Sequence, residues 1–167
     1  LYFMMGLPTE TMEDIKGIAD LGMEVIHAFY NNPNRQKGTG VQVSISCASF
    51  IPKPFTPFQW EPEDSMESLK EKQKYLLECV PTKKIKVSYH ETPTSLLEGV
   101  LARGDRRLGK VILRAFELGC KFDSWDDQFN FDAWMQAFED NGIDPHFYTH
   151  RRRAFSELLP WDHLDFG

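Results

Sequence analysis

The turn Gly6-Leu7-Pro8-Thr9-Glu10 follows an apolar run, Leu1 to Met5, and precedes a helix signal at Thr11. Glycine at the C-terminal end of a parallel strand lets a ligand approach the backbone, and the free amides of the next helix favour an anion there. Open α/β sheets and (β/α) barrels bind ligands at that edge. The competing reading is an ordinary βα turn shaped by glycine and proline. A second candidate is the loop Phe50 to Trp60, which carries Lys53, Gln59 and Trp60 and leaves the next strand on the same edge. It would line a pocket, dock a neighbouring domain, or serve as a rigid connector. The third is Ala102-Arg103-Gly104-Asp105-Arg106-Arg107, where guanidinium groups could hold a phosphate or carboxylate bidentately. A solvated helix face with internal Arg–Asp pairing explains the same residues. Arg151-Arg152-Arg153 poses the same choice, with RNA phosphates as the ligand in its functional version.

Other chemistry-bearing residues carry less. His146 and His150 share a helix face if the segment is helical, the spacing of a metal pair, but no carboxylate stands between them and Pro145 limits the helix. No metal site is assigned. Cys47 falls on the apolar side of its strand with Val41, Val43 and Ile45 and reads as packing. The aromatic series Phe122, Trp125, Phe129, Phe131, Trp134, Phe138, Phe147, Tyr148 and Trp161 reads as a core in preference to a base-stacking platform. Asp123, Asp126 and Asp127 do not have calcium-loop spacing.

The elements that position these residues change character along the chain. Thr11 with Asp14 forms an approximate capping box, and Ile15, Ile18, Val25, Ile26 and Phe29 recur at helical spacing to about Tyr30. Val41 to Cys47 alternates apolar and polar, the period of a strand with one buried face. Pro52, Pro54 and Pro57 then forbid a helix or a central strand. Asp64 and Glu67 predict a capping box for a helix with Met66, Leu69, Leu76, Leu77 and Val80 as its buried stripe, and Ile85, Val87 and Tyr89 mark a further strand. Strands separated by capped helices are the βαβ pattern of a parallel sheet. Ser95 with Glu98 is the best capping-box match and opens a helix that bends at Gly104 and stops at Gly119. A last helix runs through Phe131, Trp134, Met135 and Phe138 and closes at Asn141-Gly142. The boundary falls near Tyr89, with an α/β part over 1–90 and helices without strands over 91–167.

Composition bounds the class. The 167 residues, 41% hydrophobic and 26% charged, suit one globular domain and exclude a disordered or low-complexity chain. A net charge of -6 excludes a uniformly basic nucleic-acid coat. Cys47, Cys79 and Cys120 are too dispersed for a zinc knuckle or disulfide framework, which points to a reducing cytoplasm. No apolar stretch reaches the length of a membrane helix, and the N-terminus lacks the basic region and cleavage site of a signal peptide. A chain that opens on an apolar strand and closes on Asp162-His163-Leu164-Asp165-Phe166-Gly167 without a terminal element reads as a piece of a larger protein. Its first strand, Leu1 to Met5, would leave an exposed edge through which the piece self-associates.

The opening Leu1-Tyr2-Phe3-Met4-Met5-Gly6-Leu7-Pro8-Thr9-Glu10-Thr11 resembles the late βα turn of radical S-adenosylmethionine enzymes, where a strand ends in Gly-x-Pro-x-Glu-Thr. The segments Phe50 to Pro54, Thr56 to Trp60, Ser95 to Arg107, Phe122-Asp123-x-Trp125 and Leu159 to Asp162 resemble one radical SAM family whose full-length members carry an N-terminal cobalamin-binding-type domain. The set spans essentially the whole chain. The resemblance implies the late βα units of a partial (β/α) barrel over 1–90 and a family-specific helical extension over 91–167. It implies an enzyme in which a 4Fe-4S cluster reductively cleaves S-adenosylmethionine to act on an unknown substrate, with cobalamin as a candidate further cofactor.

Family members carry a CxxxCxxC cluster motif ahead of this region, and this sequence contains none. The expectation is an inactive piece with no cofactor bound, whose first partner is the preceding part of the same protein. By the same resemblance Gly6, Leu7, Pro8 and Glu10 lie beside S-adenosylmethionine through backbone contact or turn shaping, and Glu10 braces the turn or caps the helix. The proline-rich loop should leave the last barrel strand. Lys53, Arg103, Arg106 and Arg107 are carried as anion or substrate contacts, with an internal salt-bridge network as the equal alternative. No residue is assigned as catalytic. The rival reading is a scaffold that recognises RNA, a ribosomal component or a neighbouring domain.

Overall fold

A computed structural model describes residues 1–125 and 127–165. Asp126 of the aspartate group and the terminal Phe166 and Gly167 lie outside the described residues. The chain divides into two compact units, Leu1–Phe50 with Asp64–Thr92, and Ile51–Glu63 with Pro93–Gly167. None of the described helices is long and apolar enough to cross a membrane.

The first unit is α/β. Its elements are β1 (Tyr2–Met5), α1 (Met12–Asn31), β2 (Val43–Ser49), α2 (Met66–Cys79) and β3 (Ile85–Tyr89). The strands form one parallel sheet in chain order, β1-β2-β3, with Tyr2 opposite Ser46 and Val43 opposite Ile85. The alternation in β2 has the expected result: Val43, Ile45 and Cys47 are buried. They join Met5 and Ile85 in one core with Ile15, Ile18, Ala19 and Ile26 of α1 and Leu69 and Leu76 of α2. α1 comes closest at Gly22, where a Cβ would stand 3.0 Å from Ile45 Cδ1 and 3.1 Å from Ile85 Cδ1. Val25, expected on the buried face, is exposed, and the buried stripe runs through Ile15, Ile18, Ala19, Gly22 and Ile26.

Local signals hold unevenly. Thr11 caps α1 in a full capping box with Asp14. At α2 the cap is Ser65, whose hydroxyl accepts from the Ser68 amide, and not Asp64 with Glu67. Asp64 is occupied elsewhere, as described below. The buried stripe of α2 is Leu69, Gln73 and Leu76, and Leu77, one position off that stripe, is exposed. Gln73 is tolerated inside because its amide donates to the His90 carbonyl at 3.0 Å. β1 pairs only with β2 among the described residues, so it is an edge strand: Tyr2 is 91% exposed and Met4 52%. The proline-rich loop leaves β2, the middle strand, rather than the last one.

The second unit shows no strand among its described residues. Its helices are α3 (Thr92–Arg103), α4 (Leu108–Glu117), α5 (Phe131–Asp140) and the short α6 (His146–Thr149). The Ser95–Glu98 box does not form. Pro93 fits the first turn, where its missing amide costs nothing, so α3 starts earlier and Ser95 lies buried inside it. The predicted break at Gly104 occurs, and a Cβ there would collide with Leu108 and stand 2.7 Å from the Val100 carbonyl. α4 ends at Leu118-Gly119 with Gly119 at φ +97°, and Gly142 at φ +62° follows α5. The aromatic series divides: Trp134, Phe138, Tyr148 and Trp161 are buried, whereas Phe122, Trp125 and Phe147 are exposed.

Ile45 sits fully buried at the centre of the sheet. Ile45→Ala should cost about 2–5 kcal/mol, and Leu77→Ala less than about 1 kcal/mol. Urea unfolding of the two variants checks this; equal midpoints would contradict the packing described.

Candidate functional site

The turn after β1 is built from the inside. Gly6 takes φ +90°, and a Cβ there would stand 3.0 Å from Leu69 Cδ2 and 3.3 Å from Asp64 Cβ. Thr9, at φ +68°, adopts the left-handed conformation that lets the chain reverse toward α1. The Glu10 amide closes the turn onto the Leu7 carbonyl at 3.1 Å. Beneath it the Glu10 carboxylate accepts the Gly6 amide at 2.8 Å and pairs with Lys72 of α2 at 2.8 Å. Lys72 also reaches Asp64 at 2.8 Å, and the Ser68 hydroxyl donates to the same Asp64 oxygen at 2.9 Å.

This is a partly buried ion triad, with the Glu10 side chain 6% exposed and that of Lys72 13%. Burial works against the Lys72 ammonium, but its hydrogen bonds to Asp64 and Glu10 outweigh that, so its pKa is raised. Glu10 therefore braces the turn while Thr11 caps the helix. With its carboxylate engaged by the Gly6 amide and by Lys72, Glu10 has a structural role in this turn. A ligand at this turn would meet the half-buried Leu7 and Pro8 and the exposed Thr9.

The arginines have separate destinations. Arg103 is completely buried. Its Nε donates to the Tyr148 carbonyl at 3.1 Å, its Nη1 to those of Pro52 at 3.3 Å and Glu61 at 2.8 Å, and its Nη2 to that of Gln59 at 3.5 Å. Burial, helped by neighbouring Arg153, pushes its pKa down to about 10, so it stays protonated at neutral pH. Arg107 forks onto Asp105 at 2.7–3.1 Å, Arg106 is exposed, and Lys53 pairs with Glu98 at 2.5 Å. These four cations do not converge on one point: each has a different surrounding, and Arg103 is committed to backbone. Gln59 and Trp60 are structural as well, through Trp161 Nε1 to Gln59 Oε1 at 2.8 Å and the Arg153 amide to the Trp60 carbonyl at 2.8 Å.

Arg151-Arg152-Arg153 is not a common basic face. Arg151 pairs bidentately with Glu157, Arg152 pairs with Glu61, and Arg153 is only 3% exposed. His146 and His150 stack at 4.6 Å with their Nδ1 atoms 2.8 Å apart, a hydrogen bond between rings and not a pair aimed at a metal. Sequence reasoning missed Lys72, and it named Arg153 only as one member of a basic run. The signal for Lys72 was its place beside the buried stripe of α2; nothing local showed that Arg153, alone of the three arginines, is buried.

The cysteines do not fit an iron–sulfur cluster. All three are free, and no group of three metal-ligating side chains occurs among the described residues. Burial, with the nearby Glu10 charge, pushes the Cys47 thiol up to about 11, and burial raises Cys120 as well. At neutral pH a native-state alkylating agent should therefore modify half-buried Cys79 first, and Cys47 and Cys120 only on unfolding. Mass mapping after timed alkylation checks this; prompt Cys47 labelling would contradict its burial. Lys72→Met should destabilise the chain by about 2–3 kcal/mol, because it leaves Glu10 and Asp64 facing each other without a cation. Adding Glu10→Gln to Lys72→Met should recover part of that loss in urea unfolding, and no recovery would mean that the triad is not coupled.

No family model matches the chain, and no solved structure matches it significantly. It is 32% identical over 143 residues to the uncharacterized protein MJ0966 of Methanocaldococcus jannaschii. The match covers 86% of this chain and 29% of that protein, so the chain spans less than a third of the length of the curated relative it matches.

Proposed function

We propose that this chain forms the late βα units of a partial (β/α) barrel in a radical S-adenosylmethionine enzyme, followed by a helical extension. The observation that carries the reading is the parallel sheet in unbroken chain order, β1-β2-β3, with the Gly6-Leu7-Pro8-Thr9-Glu10 turn at the C-terminal end of β1. A barrel adds each strand beside the last, whereas a doubly wound sheet reverses direction at a switch point. The free edge of β1 is where an earlier strand of the same protein would pair, which also covers Tyr2 and Met4. Left alone, that edge is the surface through which the piece would self-associate.

In this reading the turn serves S-adenosylmethionine by shape. Leu7, Pro8 and Thr9 offer backbone and van der Waals contact, and Glu10 holds them from beneath through the Gly6 amide. The cluster thiolates belong to another segment of the protein, since Cys47, Cys79 and Cys120 are unsuited to the task. Three cysteines without a disulfide suit a reducing, cytoplasmic compartment. Cobalamin and the substrate also belong to the whole protein. The RNA-scaffold alternative draws less support, because Arg151 and Arg152 are neutralised by Glu157 and Glu61.

The test uses the full-length protein that contains this chain, prepared without oxygen and reconstituted with iron and sulfide. Reductant and S-adenosylmethionine should yield 5′-deoxyadenosine. Thr9→Trp, at the exposed tip of the turn, should raise the S-adenosylmethionine concentration required by about tenfold or more with iron content unchanged. A loaded cluster that neither binds nor cleaves S-adenosylmethionine would overturn the proposal.

A further inference from the structure

Within the second unit, one small cavity collects charged groups that the proposed function does not use. It has a volume of about 200 Å³ and is lined by Asp105, Arg107, Tyr148, Arg151, Arg153 and Glu157, with Phe147, Leu158 and Pro160 as apolar wall. Arg153 is the unusual member. Its Nη2 donates to the Arg103 carbonyl at 3.1 Å and the Tyr148 carbonyl at 3.2 Å, and its guanidinium carbon lies 5.0 Å from the centre of the Trp161 ring. One corner and one face of the guanidinium are thus fixed. Its Nε and Nη1 have no hydrogen-bond acceptor among the described residues, although the side chain is almost wholly buried. Buried cationic donors without acceptors are expensive, and proteins keep them where a ligand completes the set.

The neighbours make the position more telling. Arg151 is held by Glu157 through contacts of 2.5 and 2.7 Å, and Arg107 by Asp105. Their carboxylate partners thus fix the direction of both guanidiniums at the cavity, with Arg151 the less exposed of the two. Arg151 lies 4.3 Å and Arg107 5.9 Å from the centre of the Phe147 ring, which orients them further. Three arginines against two carboxylates leave one positive charge in excess. Fully buried Arg103 adds a further cation close to Arg153. Tyr148, whose hydroxyl is 3.4 Å from Asp105, supplies a neutral hydrogen-bonding group at the same wall.

We propose that this cavity is a binding site for a single oxyanionic group of a small molecule, a phosphate or a carboxylate, received by the free Nε and Nη1 donors of Arg153 with Arg151 and Arg107 at its rim. The volume is below the usual range of about 300–1,000 Å³ for pockets that enclose a whole drug-sized ligand, so the cavity takes the charged end of a molecule. Phe147, Leu158 and Pro160 would contact the apolar part next to that group. The site differs from the one expected from sequence around Arg103 to Arg107: Arg103 is spent on backbone carbonyls and Arg106 lies outside the lining. It does not depend on the radical reading, since every lining residue belongs to the helical unit.

The probes are inorganic phosphate and acetate, each titrated at constant ionic strength so that screening does not change. The readout is the Arg153 Nε–H resonance in nitrogen-15 NMR, with thermal shift in parallel. The expected result is a saturable Arg153 shift with at least one probe; phosphate alone identifies a phosphate ligand, and acetate alone a carboxylate ligand. Arg151→Gln should weaken binding by about tenfold or more. Leu158→Trp, at a position 86% exposed and so free of folding cost, should block the cavity and abolish binding. Arg106→Gln should leave it unchanged. Absence of a saturable shift with both probes, or equal affinity in the wild type, Arg151→Gln and Leu158→Trp, would overturn the proposal.

Discussion

A guanidinium enclosed by carbonyl oxygens organises the second unit. Arg103 is the last residue of α3, where the carbonyl end of the helix dipole already favours a cation. From there it reaches carbonyls of Pro52, Gln59, Glu61 and Tyr148. Burying an unpaired charge would be prohibitive, but each of these carbonyls carries partial negative charge that offsets the buried guanidinium. Only a planar fork can address so many separated acceptors at once; an ammonium offers a single point. The irregular segment 51–63, which has no ladder of its own, thereby gets its conformation from a helix terminus. The Glu63 amide to the Thr149 carbonyl at 2.8 Å and the Arg153 amide to the Trp60 carbonyl at 2.8 Å fasten the same segment.

The first unit solves a related problem with a side-chain triad. Parallel strands bury one face through Val43, Ile45 and Cys47, and that packing fixes where β1 ends. The chain must then reverse into α1 without a side chain at residue 6, because Leu69 and Asp64 occupy the space. Lys72 pairs with Glu10 and Asp64 together, which holds the carboxylate that accepts the Gly6 amide in place. Rigidity is the result. A turn held in this way from beneath presents Leu7, Pro8 and Thr9 to a ligand as a fixed surface.

What was legible in the sequence was whatever depended on neighbours. The alternation over Val43 to Cys47, the Thr11–Asp14 box and the glycines at 119 and 142 report local geometry, and each produced the expected strand, cap or stop. Where two local signals competed, the simpler pattern misled: Ser95-x-x-Glu98 lost to Pro93, and Asp64 lost to Ser65. The bonds that define the candidate sites were illegible for a different reason. Arg103 reaches partners 42 to 51 residues away, and no spacing rule registers a side chain bonded to distant backbone. A charged residue inside a run of charges gives no hint of which member folds inward.

Arg151, Arg152 and Arg153 make the consequence concrete. As a run they resemble one basic patch, yet their directions differ because the segment after α6 is irregular and each residue faces a different environment. Two meet carboxylates: Arg152 pairs with Glu61 and stays exposed, and Glu157 holds Arg151 at the rim of the cavity. The third goes inward, where the protein supplies two carbonyls and an aromatic face but no counter-charge bonded to it. Charge that is exposed and paired binds little, while charge that is buried and incompletely bonded attracts an anion strongly at short range, because little water competes. In the proposed site the anion therefore centres on Arg153, the least exposed of the three, with Arg151 supporting it from the rim.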